Sequence, residues 1–223
     1  MGKSVYSIVL QDEVVQAVDA AAYRQGMSRS ALINRLLAEA VSFVTPEEQM
    51  RGVFGALQRM LEPLPEFQLL DTASDAMCRL TSALRYKYNP VVRYAVALYR
   101  GGGGIQGELK ASLRSQSAGL LQRMNEFFIL WRAMEEETLK SWYPHGPACE
   151  IEPGRYTRSL AFPPEAQAVS EEELGECIAL YIRTFDSAMK LYFSFDGDAG
   201  TARRATAEYY TSAAPKLFEK YIF

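Results

Sequence analysis

Histidine is almost absent from this chain, with His145 the single one in 223 residues. A Ser-His-Asp or Cys-His nucleophile would have to use it, which disfavours the common hydrolase designs. No other nucleophile stands beside an evident base, so the chain reads as a non-enzyme. Cysteine is scarce as well: Cys78, Cys149 and Cys177 are widely spaced and odd in number, which is no disulfide framework. His145 and Cys149 lie four apart, but a metal site would need further ligands that no nearby Cys or His supplies, so neither metal nor cofactor is expected. No apolar run approaches the ~20 residues of a bilayer span. The opening, MGKSVYSIVLQDEVV, is too short and too soon acidic for a secretory signal. The expectation is a soluble, cytoplasmic protein that makes no membrane contact. An excess of positive charge is lacking too: the formal net charge is −3 and the pI about 5.4, so any nucleic-acid binding must be local. What is present, 48% hydrophobic and 23% charged residues, is an ordinary globular composition that excludes a disordered chain. It suits one large domain or two small ones.

Residues Lys3 to Leu10 alternate. Tyr6, Ile8 and Leu10 fall on one side, and Lys3, Val5, Ser7 and Val9 on the other, as in a short strand. From Asp12 the period becomes helical, with Val14, Val15, Val18, Ala21 and Ala22 on one face. Gly26 stops that helix, and Ser28 is placed to cap a second one carrying Leu32, Ile33, Leu36, Leu37, Ala40 and Val41. A lone strand and two short helices cannot close a core, so a twofold dimer with paired strands is the economical arrangement.

The run Leu10-Gln11-Asp12-Glu13-Val14-Val15-Gln16-Ala17-Val18-Asp19, followed by Gly26-Met27-Ser28-Arg29-Ser30-Ala31-Leu32-Ile33, resembles the ribbon-helix-helix DNA-binding family of the Arc, MetJ and CopG type. The resemblance covers about residues 3–44. It implies a strand ribbon in the major groove of DNA, with Lys3, Val5, Ser7 and Val9 facing base edges and Ser28 and Arg29 holding a backbone phosphate. Val5 and Val9 depart from the polar or basic residues usual there. The segment also carries four bases and four acids, hence no net charge. That neutrality raises the alternative of a unit kept purely for dimerisation, with a unit that still touches nucleic acid preferred.

Residues 45–223 read as a separate helical domain. Thr45 and Glu48 form a capping-box pattern with Pro46 at the first helical position, and Pro63-Leu64-Pro65 ends the helix. A second helical pattern runs from about Glu66 to Leu84. Asn89-Pro90 suggests a cap for a helix ending at the Gly101–Gly104 run. The Val/Tyr-rich stretch from Val91 to Tyr99 also suits a strand; helix is preferred because of the cap and the absence of other strands nearby. A long helical pattern follows from Gln106 to Trp142, with an interruption near Ser115–Gly119. Residues 143–169, with five prolines, read as a loop-rich segment. Ser170 and Glu173 open another capped helix, and a last one starts at about Thr201 with a kink expected at Pro215. The expected fold class is mainly α: a ribbon-helix-helix unit at 1–44 followed by an all-α bundle.

One stretch carries unusual charge. Arg79, Arg85, Lys87, Arg93, Arg100, Lys110 and Arg114 lie in 36 residues with Glu108 as the only acid, and Tyr86, Tyr88, Tyr94 and Tyr99 are interleaved. Bases for phosphates with aromatics for stacking are what nucleic-acid surfaces use, although buried tyrosines beneath a solvated charged face give the same pattern. The four glycines lack the Lys-Ser/Thr pair of a phosphate loop and read as a hinge. The turn at Asp196-Gly197-Asp198 offers too few oxygens for calcium. The aromatic stripes around Phe127–Trp131 and Tyr209–Phe223 read as core.

The functional expectation is a homodimeric, repressor-like transcriptional regulator that binds double-stranded DNA, its helical domain serving oligomerisation or ligand sensing. A relaxosome or partition accessory protein belongs to the same physical class. The alternative is a protein-binding module of a mobile element, antitoxin-like or inhibitory, in which the N-terminal unit dimerises or autoregulates.

Overall fold

The computed structural model describes residues 7–41, 46–70, 76–87, 89–101, 104–144, 146–161 and 170–219. The chain divides into two compact units, Met1–Thr45 and Pro46–Phe223.

In the first unit α1 (Asp12–Arg24) carries Asp12 and Glu13 in its first turn and Arg24 in its last, each sign matched to the helix dipole. Gly26, at φ 63°, makes the reversal that an L side chain would strain. α2 (Arg29–Ala40) is capped by the Ser28 hydroxyl, which accepts from the Ala31 amide at 3.2 Å. Residues 7–11, the described part of the approach to α1, carry no strand pairing.

The second unit opens with α3 (Pro46–Leu61), which begins at the proline and ends before Pro63. Six strands follow, broken by one helix: β1 (Phe67–Leu70), β2 (Met77–Ala83), β3 (Val91–Gly101), β4 (Gly104–Leu113), then α4 (Ala118–Leu139), then β5 (Cys149–Glu152) and β6 (Arg155–Ala161). They form one antiparallel sheet in the order β1-β2-β3-β4-β6-β5. α5 (Glu171–Ser194) and α6 (Ala199–Leu217) complete the unit, the latter running through Pro215. Ser170 and Glu173 close a reciprocal capping box at the start of α5.

The sheet overturns the mainly α expectation, and with it the all-α bundle after residue 45. A chain with a six-stranded antiparallel sheet and six helices among its described residues is mixed α/β and is no small ribbon-helix-helix protein. The physical reasons are local. Along β3 the buried residues are Val92, Tyr94, Val96 and Leu98, a strict period of two. Asn89 does not cap a helix: it takes φ 43° in the turn between β2 and β3, a conformation asparagine tolerates better than most. Gly101 pairs with Gly104 at the end of the β3–β4 ladder, so the two described glycines of the run end and begin strands rather than hinging a helix. Within the proline-rich segment read as loop, Gly154 at φ 71° turns β5 into β6.

One face of the sheet is covered. Phe127, Phe128 and Trp131 of α4 and Tyr181, Phe185 and Met189 of α5 pack with Tyr94, Val96, Leu109 and Tyr156 of the strands in a single core. α3 and α5 approach so closely that a Cβ at Gly175 would lie 2.5 Å from Ala56 Cβ and 2.6 Å from the Val53 carbonyl oxygen. Among the described residues no helix is long and apolar enough to cross a membrane.

Candidate nucleic-acid interface

The period of two that buries Tyr94 sends its neighbours the other way. Arg79 on β2, Arg93 on β3, Lys110 on β4 and Arg155 on β6 are all exposed on the face opposite the helices. Register ties them together. Thr81, Arg93, Ser112 and Arg155 stand in one cross-strand row, and Arg79, Ala95, Lys110 and Thr157 in the next. The four cations therefore zigzag across four strands in diagonal steps of roughly 7–8 Å. The residues between them are small, chiefly alanine, serine and threonine. Arg85 and Lys87 are exposed in the β2–β3 turn, and Arg114 is exposed just after β4.

Ion pairing divides this set. Lys110 Nζ meets Glu108 at 2.7 Å, and Arg155 meets Glu152 at 2.7 Å. Arg79, Arg85, Lys87, Arg93 and Arg114 have no acidic partner among the described residues. The side chain of Arg100 lies outside the described part. Of the interleaved tyrosines, Tyr94 is buried, its hydroxyl donating to Asp186 Oδ1 at 2.8 Å; burial, and then the Asp186 charge, push its pKa well above the ordinary value. Tyr86 packs edge-on to Phe193 at 5.2 Å and against the Arg123 guanidinium. Tyr99 is exposed, and Tyr88 lies outside the described residues.

The N-terminal candidates fare differently. Lys3 and Val5 lie outside the described residues; Ser7 and Val9 are exposed on unpaired backbone. The Ser28 hydroxyl is engaged as a cap, and the Arg29 guanidinium is held by the Asp19 carboxylate, whose hydrogen bond and charge raise its pKa. The groups expected to hold phosphate there are committed within the unit.

The second polar constellation is one that sequence reasoning missed. Glu135 of α4 and Arg158 of β6 are both fully buried and meet at 3.0 Å. Tyr156 donates to Glu135 Oε2 at 2.8 Å and Tyr181 to Oε1 at 3.0 Å, while Trp131 Nε1 donates to the Tyr181 hydroxyl at 2.8 Å. Burial works to lower the Arg158 pKa, and the opposing charge of Glu135, helped by Tyr181 and Tyr156, holds it above its usual value. With three donors on its two buried oxygens, Glu135 is a structural acceptor that ties α4 to β6 and α5. Cys149, beside this cluster, has its thiol pushed up by burial and by Glu135 and Glu136 against the pull of Arg132 and Arg158, the opposite of an activated nucleophile.

A polar groove of about 660 Å³ between the length of α3 and the first turn of α5 is lined by Glu48, Arg51, Arg59, Glu171 and Glu172, with Arg59 paired to Glu172. Its charges largely satisfy one another. Among the described residues, the β2–β3 part of the open sheet face is thus where several cations stand without an acidic partner. No family model matches the chain, and no curated protein or solved structure matches it either, so the ribbon-helix-helix resemblance has neither a fold nor a family match behind it.

Proposed function

We propose that this chain is a homodimeric nucleic-acid-binding protein that uses the helix-free face of its sheet as the contact surface. The observation that carries the reading is the gathering of Arg79, Arg85, Lys87, Arg93 and Arg114 without an acidic partner among the described residues, in a chain whose total charge is −3. Positive charge gathered on one exposed part of an otherwise acidic protein orients the molecule toward phosphates. No ribbon in the major groove belongs to this reading.

The dimer is supported by the first unit. It buries Ala22, Leu32 and Ala38 but leaves Ile8, Val9, Leu10, Val14, Leu36, Leu37 and Val41 exposed. So small a unit with so much apolar surface open to water gains stability by self-association. The same exposed side chains favour the second reading, a protein-binding module whose partner covers them.

The test is binding of the purified full chain to labelled duplex DNA, single-stranded DNA and RNA by fluorescence anisotropy across a salt series. Salt-dependent binding to one of them is expected. A chain that binds none at low salt is no nucleic-acid-binding protein, and co-purification with one protein would then support the module.

A further inference from the structure

Resting on the nucleic-acid reading above, we infer that the ligand is a duplex held by its phosphate backbone, and that only the β2–β3 half of the open face touches it.

Charge divides the face in two. Over β2, β3, their turn and the end of β4 the exposed Arg79, Arg93, Arg85 and Arg114 have no acidic partner among the described residues, while Lys87 Nζ lies 6.0 Å from the centre of the Tyr86 ring. Over the rest of β4, β6 and the edge strand β5 stand Lys110 and Arg155 with Glu108, Glu150 and Glu152. Both of those cations are already paired, at 2.7 Å each, and Glu150 is exposed beside Thr157, so that half carries a slight negative excess. A phosphate brought there would meet carboxylates and would have to compete with Glu108 and Glu152 for each base. Over β2–β3 it meets guanidinium groups that no carboxylate of the described residues holds, and these fork onto phosphate oxygens.

The tyrosines decide the form of nucleic acid. A single strand is gripped by stacking its bases on aromatic rings set beside cations. Here Tyr94 lies under the sheet and Tyr86 is packed against Phe193 and Arg123. Tyr99, exposed on β3, is six residues from Arg93, about 20 Å along the strand. Around Arg79 and Arg93 the open face offers Thr81, Ala83, Ala95 and Ser112, with the exposed aliphatic Leu70 and Val91 beside them, and none of these is a ring to stack on. Arg79, Arg93 and Arg114 have no ring packed on them among the described residues, and such cations suit the evenly spaced phosphates of a duplex, whose bases are already stacked.

The experiment measures affinity of the full chain for a short random-sequence duplex DNA and for one of its strands, across a salt series. The duplex is expected to bind more tightly. Arg79→Ala, Arg93→Ala and Arg114→Ala are each expected to reduce the slope of log affinity against log salt by about 1, and Lys110→Ala and Arg155→Ala to leave it unchanged. All of these side chains are exposed, and an unchanged unfolding curve for each variant separates lost contact from lost fold. Tighter binding of the single strand, or slopes reduced by Lys110→Ala and Arg155→Ala but not by the three arginine variants, overturns this inference while the nucleic-acid reading stands. Absence of binding to either probe overturns both.

Discussion

Arg158 of β6 and Glu135 of α4 meet at 3.0 Å with neither side chain exposed to solvent, and the hydroxyls of Tyr156 and Tyr181 complete the carboxylate. Removing one partner strands a charge in the core. Arg158→Met and Glu135→Leu alone are each expected to cost about 3–5 kcal/mol. The double variant leaves no buried charge, only two tyrosine hydroxyls short of an acceptor, and should be more stable than either single one. Urea unfolding of the three proteins checks this; a double variant as unstable as the sum of the singles would show that the pair is not coupled.

The same tyrosines set an alkaline limit on the fold. Burial first, and nearby carboxylates second, push Tyr94, Tyr156 and Tyr181 well above the ordinary tyrosine value. Below about pH 10 both folded and unfolded chains keep these hydroxyls protonated, so they impose no pH dependence. Above it the unfolded chain loses protons that the folded chain retains, and stability falls by as much as about 4 kcal/mol per pH unit for the three together. Cooperative unfolding is expected as the pH rises past about 11, with tyrosinate absorbance appearing in step with loss of helix signal. Tyr156→Phe should reduce the steepest part of that fall by about 1.4 kcal/mol per pH unit. Tyrosinate appearing before unfolding would mean that these hydroxyls are accessible in the folded protein.

Two glycines should respond in opposite directions. A Cβ at Gly175 collides with α3 backbone and Ala56, so Gly175→Ala is expected to cost about 1–3 kcal/mol through separation of α3 from α5. At Gly119, in the first turn of α4, nothing lies within 4 Å of the position a methyl group would take. Gly119→Ala should stabilise by up to about 1 kcal/mol, since alanine loses less chain entropy in a helix. Thermal unfolding of both variants measures the difference.

Helix ends were legible in the sequence because caps act within four residues: Ser28, Pro46 and the Ser170–Glu173 box all stand at observed helix starts. The strands were not, and the reasons differ. In β3 the alternation was present, but Asn89-Pro90 mimicked a helix start, and β2, the partner that would have argued for a sheet, was itself concealed by apolar spacings that also fit a helix. In β6 the inward row is Tyr156, Arg158 and Leu160, and an arginine where a core residue is expected hides the period. Only the position of Glu135, 23 residues away on α4, explains why that arginine can be buried. The basic stretch was legible as composition. Which side of the sheet it occupies, and that Arg155 joins it while Tyr94 leaves it, depended on register.

The reading of the first unit can be tested without nucleic acid. Leu37 and Val41 lie one helical turn apart at the end of α2, and both are more than half exposed. If a second copy covers them, Leu37→Gln with Val41→Gln removes apolar contact from both halves of a twofold interface at once. Sedimentation equilibrium should then show a dimer for the native chain and a monomer for the double variant at the same concentration. The sheet-bearing unit shares none of these residues, so its near-ultraviolet signal from Trp131 should remain. Its contacts with nucleic acid should also survive, but with lower affinity, because one face per particle replaces two. A double variant that stays dimeric places self-association elsewhere in the chain, and a native chain that is monomeric at high concentration leaves those side chains for a different partner.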